Sequence, residues 1–197
     1  ICRLIHFLKI VNLSHGFSGI RPALLDRLKD IYNAGIIPVI YQQGSLGASG
    51  DLAPLAHLSL LLLGKGKVYL NGKETDTASA LKMHNIEPLP LKSKEGLALL
   101  NGTQFSLAYA TKIIAEAKAL FHIANKIAAL SMEAFVCDIA PFDHLLHDIR
   151  PHEGQLTTAS AIFALLDGSD PRKIKKHSAP DHYSFRCVPQ VHGGSST

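Results

Sequence analysis

Apolar residues recur at helical spacing through most of this chain. The first thirteen residues interleave Arg3, His6 and Lys9 with aliphatic and aromatic side chains, which predicts an amphipathic helix over residues 2–13. A signal peptide would instead carry an unbroken apolar stretch. The chain is therefore expected to open with a helix of the globular kind.

Glycine and proline divide the part that follows. A second helix begins at Pro22, which suits the first helical turn, and ends at Gly35 in the C-terminal cap position. Residues 36–41 are rich in β-branched side chains and contain a proline, so we expect an extended connector or an edge strand. An asparagine–glycine turn predicts a β-hairpin over 68–73. A short helix over 75–84 follows.

The longest predicted element is an alanine-rich helix over 103–136. A shorter helix opens at Ser93 and breaks near Asn101. The long helix is apolar on much of its circumference, and such a helix normally lies inside a bundle. Another helix is expected over 155–166, whereas the tail 178–197 has no strong period. The prediction is a mainly α fold, a long-helix bundle with a small β-hairpin and a glycine-rich active-site loop.

Composition narrows the class of protein. The chain has 197 residues, 47% of them hydrophobic, which is enough for one domain with a sizeable core. Its three cysteines are widely spaced, which argues against a secreted disulfide framework and favours the cytoplasm. The longest apolar run, 58–63, is far short of a membrane span. The net charge of +4 is concentrated in 172–176, a run typical of a solvated loop, so neither a membrane nor a nucleic-acid partner is expected.

A cluster of small residues carries the most unusual chemistry. Gly47, Ala48, Ser49 and Gly50 precede Asp51 and a leucine-rich stretch. Aspartate in that place is predicted to cap a helix whose N-terminus, with its positive dipole end, points back at the serine. The simplest interpretation is a flexible loop followed by a helix cap.

Two chemical alternatives remain for this loop. Ser49 could be a hydrolase nucleophile, but the elbow pattern needs glycine where Asp51 stands, which excludes it. Alternatively, the backbone nitrogen of Gly50 attacks the carbonyl of Ala48 and one water is lost. The serine then loses its hydroxyl as a second water. The product, a methylidene-imidazolone, is an electrophile that no ordinary side chain supplies.

Four stretches of the chain resemble the aromatic amino acid ammonia-lyases, the family of histidine, phenylalanine and tyrosine ammonia-lyases and related aminomutases. The longest match is the run from the glycine-rich loop into the helix after it. The stretches occur in family order and cover essentially the whole chain, and among the branches the histidine enzymes are the most similar. The four matched stretches are residues 16–21, 44–57, 94–103 and 183–193.

The resemblance implies roles for individual residues. The Ala48-Ser49-Gly50 tripeptide would form a 4-methylidene-imidazol-5-one autocatalytically, with Asn101 hydrogen-bonding that ring or the substrate. Tyr183 would lie beside the ring and orient the amine. Arg186 would pair with the substrate carboxylate through its planar pair of donors. The residues alone, without the resemblance, favour structural roles: a turn residue before Gly102 for Asn101, and a packed surface pair for Tyr183 and Arg186.

The resemblance also implies an overall setting. Residues 1–197 would be the central part of a single catalytic domain, with N- and C-terminal parts missing, and the start at Ile1 agrees with an excerpt. The whole enzyme would be a cytoplasmic homotetramer with shared active sites. Its general base, a tyrosine on an N-terminal loop in the family, would lie before Ile1.

The expected reaction is elimination of ammonia from an aromatic L-amino acid, with L-histidine to urocanate favoured. Tyrosine or phenylalanine ammonia-lyase and aminomutase activity are alternatives that use the same ring. A non-catalytic relative is a further alternative, because family members usually carry glutamine where this chain has Pro180. Proline has no side-chain amide to offer a substrate.

Other histidines and cysteines are assigned structural roles. His144 and His147 stand one helical turn apart, but without a third placed ligand they are typical of an exposed polar turn, so no metal site is expected. Cys187 is expected to be a small packed residue. His57 is expected to be a hydrogen-bonded core histidine.

Overall fold

The computed structural model describes residues 1–169 and 180–196, and the chain divides into two compact units, residues 1–113 and 114–197. The prediction of a mainly α fold with a small hairpin is confirmed. The basic run 172–176 lies outside the described residues.

Short helices form most of the first unit. The start and end of the second helix follow its sequence signals, since Pro22 occupies its first turn and the amide of Gly35, at φ +70°, donates to the carbonyl of Tyr32 at 3.1 Å. The helices are α1 Cys2–Ser14, α2 Pro22–Asn33, α3 Leu52–Ser59, α4 Thr77–Met83 and α5 Glu95–Leu100.

A three-stranded antiparallel sheet lies in the same unit, in the order β1-β2-β3. The predicted hairpin consists of β2 Lys67–Leu70 and β3 Lys73–Asp76, joined by Asn71 and Gly72, both at positive φ, as a type I′ turn requires. The connector contributes the edge strand β1 Ile37–Pro38, with Ile37 opposite Tyr69. Because β3 extends to Asp76, α4 begins two residues later than predicted.

The leucine-rich stretch after the glycine-rich loop forms two successive helices. Helix α3 ends at Ser59, and a 3-10 turn over Leu60–Leu63 is closed by Gly64 at φ +66°. Leu55, Leu58 and Leu62 are fully buried, whereas Leu52 is 42% exposed. Among these four leucines, only the first of the stretch therefore lies at the surface.

Two polar side chains of α1 are buried, contrary to the expected amphipathic pattern. His6 and Lys9 are 1% and 0% exposed, whereas Phe7 on the same helix is 45% exposed. The ring of His6 packs edge-on against Tyr32, with centroids 5.5 Å apart. Its Nε2 is buried without a hydrogen-bond partner among the described residues.

Burial lowers the pKa of His6 to about 4, with a hydrogen bond to the backbone at Leu28 opposing the shift. His6 is therefore protonated near pH 6.5 in the unfolded chain but only near pH 4 in the folded chain. Because the unfolded state binds more protons between these values, the free energy of unfolding should fall as pH drops from 6.5 to about 4. The loss should approach about 3 kcal/mol. Unfolding of full-length protein at pH 7 and pH 4.5 should show this loss, and His6→Leu should remove most of it. An unchanged pH dependence in His6→Leu would assign the loss to other groups.

The described part of the second unit is helical and contains its own core around Met132, Phe142 and Ile162. A Cβ atom at Gly154 would overlap the carbonyl oxygen of Gly193, so the two helices that contain these glycines cross at backbone contact. The tail was predicted to lack a strong period, but it forms two helices. The elements are a 3-10 turn Ala140–Phe142, α7 His144–Asp148, α8 Glu153–Leu165, α9 Tyr183–Arg186 and α10 Val188–Ser196.

The long helix α6, Gln104–Ala134, contributes residues to both units. Its predicted bounds are correct within two residues. Many of its large apolar side chains lie on the surface of this chain rather than inside a bundle. They are Leu107, Ile113, Ile114, Leu120, Ile123, Ile127 and Leu130, each between 47% and 67% exposed. No helix within residues 1–169 and 180–196 is long and apolar enough to cross a membrane.

Candidate active site

The glycine-rich loop connects β1 to α3, and its central side chains face solvent. Ala48 and Ser49 are both exposed. Gly50 has φ +94°, a conformation that favours glycine. A Cβ atom there would lie 2.6 Å from the carbonyl oxygen of Gly102, so the loop approaches another backbone too closely for any side chain.

Two glycine positions therefore define this contact. Gly102 has φ +142°, and a Cβ atom there would overlap the side-chain amide of Gln104. The amide of Asp51 donates to the carbonyl of Gly102 at 2.8 Å. The C-terminal end of the tripeptide is thus fixed against the segment that links α5 to α6.

The Asp51 carboxylate is buried and holds the loop from the other side. One oxygen accepts hydrogen bonds from the hydroxyls of Ser45 and Ser106, both at 2.8 Å, and the other accepts the Ser106 amide at 2.9 Å. Burial would raise the pKa of Asp51, but these hydrogen bonds together outweigh it and lower that pKa. The predicted side-chain cap is wrong: Asp51 precedes α3 but makes no capping hydrogen bond, since its oxygens are used by the two serines.

Asn101 lies at the C-terminal end of α5. Its backbone amide donates to the carbonyl of Leu97 at 3.0 Å, and its backbone carbonyl oxygen accepts a hydrogen bond from Lys9 Nζ at 2.8 Å. The residue lines a small cavity of about 220 Å³ together with Ser18 and Lys94. Asn101 is exposed and next to Gly102, so the first unit brings it to the segment on which the tripeptide packs.

An ion pair fixes the start of α5. Glu95, 1% exposed, accepts hydrogen bonds from Nε and Nη2 of Arg21, each at 2.8 Å. The backbone amides of Arg21 and Lys92 also donate to it. Mainly the hydrogen bonds from Arg21 lower the pKa of Glu95 to about 2. The stretches 16–21 and 94–103 are therefore joined through this buried carboxylate.

The remaining two predicted site residues lie in the second unit. Tyr183 and Arg186, on α9, line one side of a cleft of about 490 Å³, and Pro180 and Asp181 line the same cleft. Tyr183 is 77% exposed. The carboxylate of Asp181 accepts the amide of Asp138 at 2.6 Å, which holds the segment leading into α9.

The comparisons with known proteins agree over the whole chain. A family model described as aromatic amino acid lyase matches residues 1–197. The chain belongs to this family. The histidine ammonia-lyase of Burkholderia mallei is 44% identical over 195 residues, which are 98% of this chain and 38% of that enzyme. This member of the lyase family thus spans less than half the length of such relatives.

Solved structures of the family have the same fold. Histidine ammonia-lyase from Trypanosoma cruzi has a TM-score of 0.87 at 37% identity, covering 98% of this chain and 36% of that one. Phenylalanine aminomutase from Pantoea agglomerans has a TM-score of 0.90 at 33% identity, covering 99% of this chain and 41% of that one.

The residues set aside as structural differ in outcome. His147 is 1% exposed, donates from Nε2 to the carbonyl of Pro141 at 3.0 Å and accepts from Gln155 at Nδ1, so the expected exposed turn is wrong for this histidine. His57 packs edge-on against Tyr41, and its buried Nδ1 has no hydrogen-bond partner among the described residues, contrary to the expectation. Cys187 is half-buried at the cleft of Arg186.

Sequence reasoning missed several residues that support the glycine-rich loop and the neighbouring Asn101. Ser106 and Lys9 contact Asp51 and Asn101 from positions 55 and 92 residues away. No local pattern indicates Ser106. For Lys9, the position of a lysine inside a helical apolar stretch is a signal for a buried charge. Glu95 could have been found from its place in the matched stretch 94–103, where a carboxylate stands among apolar residues.

Proposed function

We propose that the protein is an ammonia-lyase that eliminates ammonia from an aromatic L-amino acid, with L-histidine as the preferred substrate. The observation that carries the proposal is the glycine-rich loop: an exposed Ala48-Ser49 pair ends in a glycine that is fixed against Gly102. The 44% identity to a histidine ammonia-lyase supports the histidine branch. Residues 1–197 are proposed to be the central part of one catalytic domain.

The loop fits the proposed 4-methylidene-imidazol-5-one. Ring closure needs a glycine nitrogen without a side chain beside it, and position 50 admits only glycine for the independent reason of its contact with Gly102. Ser49 is exposed, so no packing opposes loss of its hydroxyl. When formed, the ring supplies an electrophile that activates the substrate for elimination.

The chain's own residues bind and orient the substrate in this proposal. Arg186 pairs with the substrate carboxylate, and Tyr183 orients the amine. The side-chain NH₂ of Asn101 donates a hydrogen bond to the ring or to the carboxylate. In the reaction, a base removes a β-proton, the electrons of that C–H bond form the double bond, and the C–N bond breaks with its electron pair leaving on nitrogen as ammonia.

Parallel assays of full-length protein with L-histidine, L-tyrosine and L-phenylalanine test this function. We expect release of ammonia and urocanate from histidine, with weaker or no turnover of the other two. Turnover of tyrosine without turnover of histidine would overturn the histidine assignment. No elimination with any of the three would overturn the lyase proposal, and the proline at position 180 would then favour a non-catalytic relative.

An aminomutase is the second candidate, because a phenylalanine aminomutase has the same fold, with a TM-score of 0.90. It would return the amine to the β-carbon of the same substrate. A β-amino acid product in place of free ammonia and an unsaturated acid identifies this activity.

Arg186→Lys should raise KM for the amino acid about 10- to 100-fold, because lysine cannot make the paired hydrogen bonds of a guanidinium to a carboxylate. Steady-state kinetics measure the change. Arg150→Lys is a matched control, since Arg150 is an exposed arginine of the same unit that is not placed in the site. An unchanged KM in Arg186→Lys would remove Arg186 from substrate binding.

Homotetrameric assembly and a cytoplasmic location remain predictions of the family resemblance. The exposed apolar side chains of α6 support assembly, because a single soluble chain rarely leaves so many large apolar residues in water. Sedimentation of the full-length protein tests the tetramer.

A further inference from the structure

Lys9 is a fully buried lysine whose presence packing does not explain. Its side chain is 0% exposed on the same face of α1 as Ile5 and Leu13, which belong to the main core of the first unit. Lysine is almost never fully buried unless its charge is paired. No carboxylate among residues 1–169 and 180–196 forms an ion pair with it, and burial lowers its pKa to about 8. A methionine would fill this space at lower cost.

Among the described residues, the ammonium group of Lys9 forms one hydrogen bond, to the carbonyl oxygen of Asn101 at 2.8 Å. The backbone amide of Asn101 donates to the carbonyl of Leu97, so hydrogen bonds hold both the amide and the carbonyl of this residue. The next carbonyl, of Gly102, accepts the amide of Asp51. Two successive carbonyls are thus fixed from two different parts of the chain, and the second is the surface against which Gly50 packs.

We infer that Lys9 is a positioning residue: by binding the carbonyl of Asn101 it fixes the Asn101–Gly102 peptide, and through that peptide both the Asn101 side chain and the ring-forming tripeptide. The assignment of a role in catalysis rests on the proposed function. The geometric part does not, because it concerns only how the linker between α5 and α6 holds the loop.

Lys9→Met in full-length protein tests this inference. The change removes the donor but keeps an unbranched chain of similar length, so the thermal midpoint should be unchanged or higher. Lys9→Gln keeps a shorter neutral donor, so its Asp51 exchange rate, ring content and kcat should lie between those of Lys9→Met and wild type. Lys29→Met is the matched control, because it removes an exposed lysine that pairs with Asp26 on α2.

Three readouts separate positioning from packing. Hydrogen exchange at the Asp51 amide reports the Gly102 carbonyl directly and should be about tenfold faster in Lys9→Met. Intact mass should show a smaller fraction of protein that has lost two waters. Turnover of the amino acid should lose about 10- to 100-fold in kcat with little change in KM. A purely structural lysine would instead lower the thermal midpoint and leave kcat of the folded fraction unchanged.

Equal Asp51 exchange, ring content and kcat in Lys9→Met and Lys29→Met would overturn the inference. If wild-type protein forms no ring and turns over no aromatic amino acid, the proposed function fails. In that case Asp51 exchange still decides whether Lys9 positions the linker, so the two failures are distinguishable. If Lys9→Met does not fold, the same comparison is made with Lys9→Gln.

Discussion

Ser49→Ala should leave a folded protein that forms no methylidene-imidazolone and loses turnover by at least about 1,000-fold. Alanine has no hydroxyl to leave as the second water, so the exocyclic double bond cannot form. The side chain is exposed, and its truncation removes no buried contact. After correction for the substituted oxygen atom, intact mass should exceed that of wild type by at least one water, the one that the serine hydroxyl would have supplied. The assay with L-histidine measures the loss of turnover.

Ser14→Ala is the matched control for this change. Ser14 is an exposed serine whose hydroxyl donates to the carbonyl of Val11 in its own helix. It should keep full ring content and turnover. A Ser49→Ala protein with wild-type turnover would exclude the electrophile and leave the loop as a structural turn.

Local signals predicted much of the fold because they act over a few residues. The proline at the start of α2, the glycine after it and the asparagine–glycine turn each impose a backbone conformation without help from the rest of the chain. The bounds of α6 follow from uninterrupted alanine-rich periodicity. Helix ends, turns and helix lengths can therefore be predicted from sequence where neighbouring residues alone determine the backbone conformation.

Distant partners explain the errors. Lys9 was predicted on a polar face, but a carbonyl 92 residues away accepts its hydrogen bond and makes burial tolerable. Asp51 was predicted to cap α3, but Ser106, 55 residues away, competes successfully for its oxygens. Helix α10 was missed because Pro189 and its glycines obscure the period, and one of these glycines permits the close crossing with α8.

The candidate site was accessible to sequence reasoning only in its reactive groups. The small-residue cluster indicated the tripeptide before any resemblance was considered, whereas Asn101, Tyr183 and Arg186 came from resemblance to a family. Their chemical roles remain proposals. What no pattern indicated is that the loop depends on residues outside it. Its end is held by the Gly102 carbonyl and by a buried carboxylate, so the reagent and its support come from different parts of the sequence.

Asp51→Ala measures that dependence, and we expect the second largest effect from it. The change removes the acceptor of both serine hydroxyls and of the Ser106 amide, and leaves that amide without its partner. The free energy of unfolding should fall by about 3 kcal/mol. Ring content should fall at least about tenfold even in the folded fraction, because the tripeptide is then held only through the backbone.

Asp51→Asn separates geometry from charge in the same position. The asparagine oxygen can still accept the Ser106 amide, while its NH₂ group faces two hydroxyls that can turn to accept. Stability should therefore stay near that of wild type, and ring content should recover if the carboxylate acts by holding the loop. Recovery of stability without recovery of the ring would show instead that the negative charge beside the tripeptide is needed for ring closure. Complete ring formation in Asp51→Ala would contradict both accounts, since the loop would then reach its reactive conformation without this anchor.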